Sequence, residues 1–200
     1  MAMPYQIPGA TAVGITFDNG VVLGAEKRVS YGTHLVSRSG KKVFQITDTV
    51  GAVAAGMIAD MNILMREVTA HTKILQLETN QPVPPNSIAK LMGVIMYQQK
   101  WFPMMTQVIL AGVENGKPAV YVLDPLGSVI PDEYATVGTG AELAIGVVES
   151  EYKQNLTEQE AVDLAIKSIR SAVNRDAASG DGIDILIVTE NKIREQSVKT

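Results

Sequence analysis

The segment Ile7–Gly32, IPGATAVGITFDNGVVLGAEKRVSYG, predicts how the fold begins. Residues 11–17 alternate along the chain, with larger side chains at odd positions and small ones at even positions, which is the period of a β-strand. Asn19-Gly20 is a typical hairpin turn, so the next residues should return as a partner strand. Because the even-numbered side chains are small, we expect another layer of the protein to pack closely against that face.

Composition restricts the functions open to this chain of 200 residues. With 46% hydrophobic residues it can bury one large core, which favours a single domain. A net charge of −4 argues against a nucleic-acid partner, and the absence of cysteine excludes disulfides, thiolate metal sites and a cysteine nucleophile. Only His34 and His71 could add imidazole ligands, and they are far apart, so we expect no metal or cofactor. No segment is apolar enough for a signal peptide or a membrane span, which predicts a cytoplasmic protein without membrane contact.

The rest of the chain continues with antiparallel strands and pairs of helices. A second hairpin is expected between residues 42 and 55, and a helical period of apolar residues then begins at Met57. A second helix should follow the proline-rich break, capped by Asn86 or Ser87. Later come two strands around an Asn-Gly turn, a helix at 140–151, a helix that a Thr157/Glu160 capping box should begin, and a final apolar strand at 183–189.

This order of elements predicts an α+β fold. Strands, two helices, strands, two helices and a strand suit two stacked antiparallel sheets with helices on both outer faces. The expected architecture is therefore a four-layer α-β-β-α sandwich rather than a βαβ alternation around a parallel sheet. No repeat or linker divides the sequence.

Several segments, in order along almost the whole chain, resemble those of a known family. They are LGAEKRVSYG (23–32), GKKVFQI (40–46), AAGMIAD (54–60), GTGAELAIGVVESEY (138–152) and NRDAASGDGIDI (174–185). Together with the first strand, which contains Val13-Gly14-Ile15, they make the chain resemble a β subunit of the proteasome core particle, of archaeal type. Proteasome α subunits fit less well, because they carry an extra N-terminal helix for which the short head leaves no room.

The resemblance implies the fold and mechanism of an N-terminal nucleophile hydrolase. In such proteins a short head is removed after a glycine, and the exposed threonine attacks a peptide carbonyl while its own α-amine acts as the base. On this pattern residues 1–9 form a propeptide that would be cut between Gly9 and Ala10. Residues 10–200 then form a single β-subunit domain.

The nucleophile position of the family falls on Ala10, and a methyl group cannot attack a carbonyl. Thr11 cannot replace the missing threonine, because a shift of one residue along a strand turns the side chain to the opposite face. We expect Thr11 to be buried away from the cleft. Since the same hydroxyl drives the self-cleavage, the chain is predicted to be both inactive and unprocessed.

The resemblance also implies that the other residues of the catalytic site are present. Glu26 and Lys42 match the carboxylate and the ammonium beside the nucleophile, and Asp176 and Ser179 match the pair that orients it. Thr139 stands where many relatives have serine, Gly56 matches the glycine whose backbone N–H donates to the oxyanion, and Arg28 fits a structural partner. The positions of the substrate pocket fall on Val29, Ala54 and Ile58, which indicate an apolar pocket. Each residue taken alone also has an ordinary structural explanation, such as a surface charge or a turn.

Two explanations of Ala10 remain open. The complete surroundings of a single missing hydroxyl favour an engineered Thr→Ala exchange, whereas a naturally non-catalytic subunit would serve assembly of a mixed β ring. In either case the resemblance implies as partners other β subunits in a seven-membered ring, α-subunit rings, unfolded polypeptide substrates and an ATP-dependent unfoldase that acts on the assembled particle.

Overall fold

A computed structural model describes residues 9–199, so most of the predicted propeptide lies outside the described residues. Over this range the chain has twelve strands and four helices. The strands are β1 (Thr11–Phe17), β2 (Gly20–Glu26), β3 (Val29–Tyr31), β4 (His34–Ser37), β5 (Val43–Gln45), β6 (Val50–Gly56), β7 (Thr106–Glu114), β8 (Lys117–Leu123), β9 (Val129–Asp132), β10 (Tyr134–Gly138), β11 (Ile183–Thr189) and β12 (Ile193–Val198). The helices are α1 (Ile58–Thr79), α2 (Pro85–Gln98), α3 (Ala141–Glu151) and α4 (Glu158–Val173).

Two antiparallel sheets of five strands form the centre of the molecule. The first has the strand order β10-β1-β2-β11-β12 and the second has the order β5-β6-β7-β8-β9. Helices α3 and α4 pack on the first sheet, and α1 and α2 pack on the second. The predicted four-layer α-β-β-α sandwich is therefore confirmed. Strands β3 and β4 form a separate small hairpin.

The alternation of β1 divides its side chains between two cores, as the sequence pattern predicts. Val13, Ile15 and Phe17 pack beneath α3 and α4, whereas Ala12 faces the core between the two sheets. On that inner face Gly14 allows the sheets to approach, because a Cβ built there would lie 2.7 Å from Cγ2 of Ile109 in the opposite sheet. The small face of β1 is thus explained by close packing of sheet on sheet.

The two N-terminal caps predicted from sequence have different outcomes. The capping box of α4 is confirmed: the Glu160 N–H donates to the Thr157 hydroxyl, and the Thr157 N–H donates to the Glu160 carboxylate. The cap of α2 is wrong, because the helix begins at Pro85 with Pro84 as its N-cap and has no side-chain cap. Proline at the first helical position lacks an N–H that would have no partner there anyway, so the helix begins before Asn86 and Ser87.

Glu160 should make the free energy of unfolding fall as the pH is lowered into the acidic range. A hydrogen bond from Lys153, followed by those from Thr157, lowers the pKa of Glu160 from 4.5 to about 2. A carboxylate whose pKa falls on folding stabilises the protein above its unfolded value, and this stabilisation is lost as the pH falls through the folded value. In urea unfolding between pH 7 and pH 3, we therefore expect Glu160→Gln to be less stable than the unsubstituted chain at neutral pH. The gap should shrink below about pH 4.5. A gap of the same size at pH 3 and pH 7 would contradict the assignment.

Candidate active site

The start of β1 is enclosed by two segments from distant parts of the sequence. Ala10 is completely buried, and its carbonyl oxygen accepts a hydrogen bond of 3.5 Å from the N–H of Gly140. Gly9 lies against Ala178 and Thr139, so closely that a Cβ on Gly9 would be 2.0 Å from the Cβ of Ala178. The peptide between Gly9 and Ala10 is therefore held between residues 138–140 and the loop that follows α4.

Beside this strand lies a buried ion pair. Glu26 ends β2 and Lys42 precedes β5, and their exposed fractions are 0% and 2%. The Lys42 ammonium pairs with Oε1 of Glu26 and also donates to the carbonyl oxygen of Arg28 at 2.6 Å. The same Oε1 is 3.4 Å from the N–H of Thr11, which places the pair next to the first residues of β1.

Burial shifts both groups of this pair towards their neutral forms. Loss of hydration lowers the pKa of Lys42, although the neighbouring Glu26 carboxylate opposes the change. Loss of hydration likewise raises the pKa of Glu26, against the opposing effect of Lys42 and of the N–H groups of Gly180 and Arg28. An ammonium with a lowered pKa can exchange a proton more readily than a lysine in water, which is a property of catalytic sites.

The Glu26 carboxylate and Arg28 fasten the loop that follows α4. Oε2 of Glu26 accepts hydrogen bonds from the N–H groups of Arg28 at 2.7 Å and Gly180 at 2.9 Å. Nε of Arg28 pairs with Asp181 at 2.8 Å, and its Nη1 donates to the carbonyl oxygen of Ala177 at 2.8 Å. Arg28 thus makes the structural contacts that its position in the family pattern suggests.

This loop carries a carboxylate on which hydroxyl groups converge. Oδ2 of Asp176 accepts hydrogen bonds from Thr139 at 2.6 Å and from Ser179 at 2.7 Å, and its Oδ1 accepts the N–H of Ala178 at 3.0 Å. The Thr139 hydroxyl is also 3.4 Å from the carbonyl oxygen of Ala10. Thr139, Asp176 and Ser179 therefore lie together beside the predicted nucleophile position.

Thr11 contributes a contact that sequence analysis missed. Its side chain is completely buried, as expected, but its hydroxyl lies 2.8 Å from the hydroxyl of Ser179. Thr11 and Ser179 are 168 residues apart, so no local pattern indicates this pair. The contact joins the cluster from the side opposite to Ala10.

Gly56 lies on the wall of an apolar cavity next to the site. Its φ of +134° and a Cβ position 2.1 Å from the Met105 carbonyl oxygen exclude other residues without a backbone shift. The cavity has a volume of about 420 Å³ and is lined by Ala55, Gly56, Pro103, Met104, Met105, Thr106, Gln107, Pro125, Gly138 and Thr139. The oxyanion role of Gly56 stays a prediction, and Gly56 lines the same cavity as Thr139.

The three residues predicted for the substrate pocket do not line this cavity. Ala54 is completely buried in the core beneath α1 and α2. Val29 and Ile58 both approach Gly40, with side-chain atoms 2.4 Å and 3.8 Å from the position of a Cβ there. Their role in specificity stays a prediction, and Met104 and Met105 are apolar wall residues that sequence analysis did not single out.

Together these contacts place groups suited to proton transfer on both sides of residue 10. A buried carboxylate–ammonium pair lies on one side of residue 10, and a carboxylate with three hydrogen-bond donors lies on the other. Among residues 9–199 no group of side chains is suited to hold a metal ion. Within the same range no helix is long and apolar enough to cross a membrane.

Comparison with known proteins gives a consistent result over nearly the full length. The family model described as "Proteasome subunit" matches residues 8–188. The chain is 53% identical to proteasome subunit beta 1 of Nitrosopumilus maritimus, with 96% of this chain and 97% of that protein covered. It is 54% identical to proteasome subunit beta 1 of Cenarchaeum symbiosum (94% and 97% covered) and 44% identical to proteasome subunit beta 2 of Thermofilum pendens (96% and 93% covered). With the four-layer fold, these matches establish that the chain belongs to the proteasome subunit family, as a β subunit of archaeal type.

Proposed function

We propose that this chain is a β subunit of a proteasome core particle that assembles with other proteasome subunits but does not itself hydrolyse peptides. The observation that carries the proposal is Ala10. It occupies the start of β1 between the Glu26–Lys42 pair and the Asp176 cluster, where the mechanism of the family requires a hydroxyl. Without that hydroxyl the chain has no group to attack a carbonyl at this position.

The same absence accounts for a proposed failure of self-processing. Removal of residues 1–9 requires attack of the residue-10 hydroxyl on the carbonyl of Gly9. An alanine cannot make this attack, so the head should remain attached in the assembled particle. Residue 10 then has no free α-amine either, and both the nucleophile and the base of the mechanism are missing.

The remaining groups support catalytic ancestry or a deliberate exchange. Lys42 pairs with Glu26, and the hydroxyls of Thr139 and Ser179 both donate to Asp176. In the proposed mechanism a threonine at position 10 would use these groups. We therefore favour an engineered Thr→Ala exchange, and the alternative is a naturally non-catalytic subunit that serves assembly in a mixed ring. A buried charge without a partner destabilises the fold. Glu26 and Lys42 therefore need one another for stability, whether the exchange at position 10 is engineered or natural.

The proposed setting follows the family. The chain would occupy a seven-membered β ring flanked by α-subunit rings, in the cytoplasm, and unfolded polypeptides delivered by an ATP-dependent unfoldase would be cut by active sister subunits. Of the three residues predicted for the substrate pocket, Val29 and Ile58 remain candidates for contact with apolar substrate side chains, whereas Ala54 is completely buried.

The intact mass of the chain in its particle tests this proposal. The Ala10 chain is co-expressed with a proteasome α subunit, and assembled particles are isolated by size. We expect mass spectrometry to find residues 1–9 still attached and a fluorogenic peptide to remain uncut. Loss of the head, or hydrolysis by particles that contain no other β subunit, would refute the proposal.

A further inference from the structure

The hydroxyl of Thr11 links the first strand to the loop that carries Asp176. Thr11 is completely buried on the face of β1 that turns away from the space between the sheets, and its Oγ1 lies 2.8 Å from Oγ of Ser179. A buried hydroxyl loses its hydrogen bonds to water, so this one contact has to replace them. The pair therefore fixes β1 and the loop relative to one another.

The direction of the hydrogen bonds in this cluster follows from the number of protons. An ionised carboxylate can only accept, so the single proton of the Ser179 hydroxyl goes to Oδ2 of Asp176 at 2.7 Å. Ser179 must then accept from Thr11. The resulting chain of donors runs from Thr11 to Ser179 to Asp176, and Thr139 donates to the same carboxylate oxygen from the other side.

The room for the Thr11 hydroxyl depends on Gly140. Gly140 lies opposite the hydroxyl, and a Cβ there would be 2.1 Å from Oγ1 of Thr11 and 3.3 Å from Oδ2 of Asp176. The Thr11 hydroxyl thus occupies the space that a side chain at position 140 would need. Because Gly140 also donates to the carbonyl oxygen of Ala10, the same residue contacts both positions at the start of β1.

From this geometry we propose that Thr11 is a positioning residue, whose hydroxyl orients Ser179 and through it holds the Asp176 carboxylate towards residue 10. The inference rests on the proposed function, since the reaction it would assist needs a threonine at position 10. Thr11 itself touches neither the nucleophile side chain nor the substrate. Its effect should therefore appear in the rate of the chemical step and not in substrate binding.

The experiment uses the full chain with Ala10→Thr, assembled with α subunits, and adds Thr11→Val or Thr11→Ser. Valine keeps the branched shape and removes the donor, whereas serine keeps the donor. We expect Thr11→Val to lower kcat roughly tenfold with KM unchanged, as a small misorientation of a catalytic group does, and Thr11→Ser to restore most of the rate. Peptide hydrolysis and thermal unfolding are measured on the same particles.

Thr16→Val is the matched control on the same strand. It also removes one hydroxyl hydrogen bond, that between Thr16 and Tyr152 at 2.8 Å, but has no connection to Asp176. It should lower the midpoint of thermal unfolding as much as Thr11→Val does and leave kcat unchanged. Equal kcat values for Thr11→Val and its parent would overturn the inference, and so would equal losses for the valine and serine variants.

Failure of the proposed catalytic site around position 10 gives a different result. If Ala10→Thr alone is inactive, the groups around position 10 do not form a catalytic site, and a crystal structure of Thr11→Val in the Ala10 chain decides the remaining question. A rotated Ser179 side chain with a displaced Asp176 carboxylate supports the positioning role. Side chains that keep their places overturn it.

Discussion

Replacing Ala10 with threonine is expected to convert the chain into a self-processing protease. The new hydroxyl would lie at the start of β1, between the Glu26–Lys42 pair and the Asp176 cluster, and could attack the carbonyl of Gly9. Once residues 1–9 are removed, the same hydroxyl and the freed α-amine would cut peptides. Loss of a protease nucleophile slows the reaction by roughly 10⁶-fold, so the gain over the Ala10 chain should approach that size.

Two measurements on assembled particles check this result. Mass spectrometry should show a chain shortened by residues 1–9, and a fluorogenic peptide should be hydrolysed. The matched control is Ala10→Val, which adds a branched side chain of similar shape but no hydroxyl, and which should stay unprocessed and inactive. A threonine variant that assembles and yet keeps its head and its inactivity would show that the groups around position 10 do not form a catalytic site.

Removal of Glu26 is expected to cause the largest loss of stability among single charge substitutions. In Glu26→Ala the Lys42 ammonium would remain buried without its carboxylate, and the N–H groups of Arg28 and Gly180 would lose their acceptor. Leaving one partner of a buried ion pair uncompensated costs about 3–5 kcal/mol. Urea unfolding at neutral pH measures this loss as a lower midpoint and a lower free energy of unfolding.

An exposed pair one residue away in sequence provides the control. Lys41 pairs with Glu195 at 2.8 Å, but both side chains are largely in water, with exposed fractions of 57% and 41%. Because such surface pairs contribute at most about 1 kcal/mol, Glu195→Ala should change stability little.

The double exchange Glu26→Leu with Lys42→Met should recover most of the loss caused by Glu26→Ala, because it removes both buried charges at once. Equal effects of Glu26→Ala and Glu195→Ala would contradict the assignment of the pair.

The elements that sequence analysis predicted correctly have strong local signals. The Asn115-Gly116 turn, in which both residues have positive φ, follows from backbone geometry within a few residues, as do the alternation of β1 and the capping box of α4. The hairpin of β1 and β2 is also present, although its loop is Asp18-Asn19 because Gly20 already pairs with Phe17. The short or exposed strands β3, β4, β9, β10 and β12 were missed, because they contain polar residues at most positions or are too short to show a period. Their strand conformation comes from pairing with a neighbour, which the local sequence does not reveal.

The site was predictable only in part for a related reason. The chemistry of Glu26, Lys42 and Asp176 came from the resemblance of whole segments, since each residue alone reads as an ordinary surface charge. Contacts across the fold, such as that of Thr11 with Ser179, depend on how β1 and the loop after α4 are packed. The cavity beside Gly56 was missed because its walls, Met104 and Pro125 among them, come from loops that are separate in sequence.

Sequence variation at Gly138, Thr139 and Gly140 can distinguish selection for the fold from selection for catalysis. A Cβ at position 138 would lie 2.0 Å from the Ala10 carbonyl oxygen, and one at position 140 would meet the Thr11 hydroxyl. Both glycines are therefore needed to seat the first strand, whether or not the protein cuts peptides. In a lineage that retains the subunit only for assembly, glycine should be kept at positions 138 and 140, whereas Thr139 between them should accumulate substitutions. Sequences gathered from wild populations could thus reveal which trait selection still maintains.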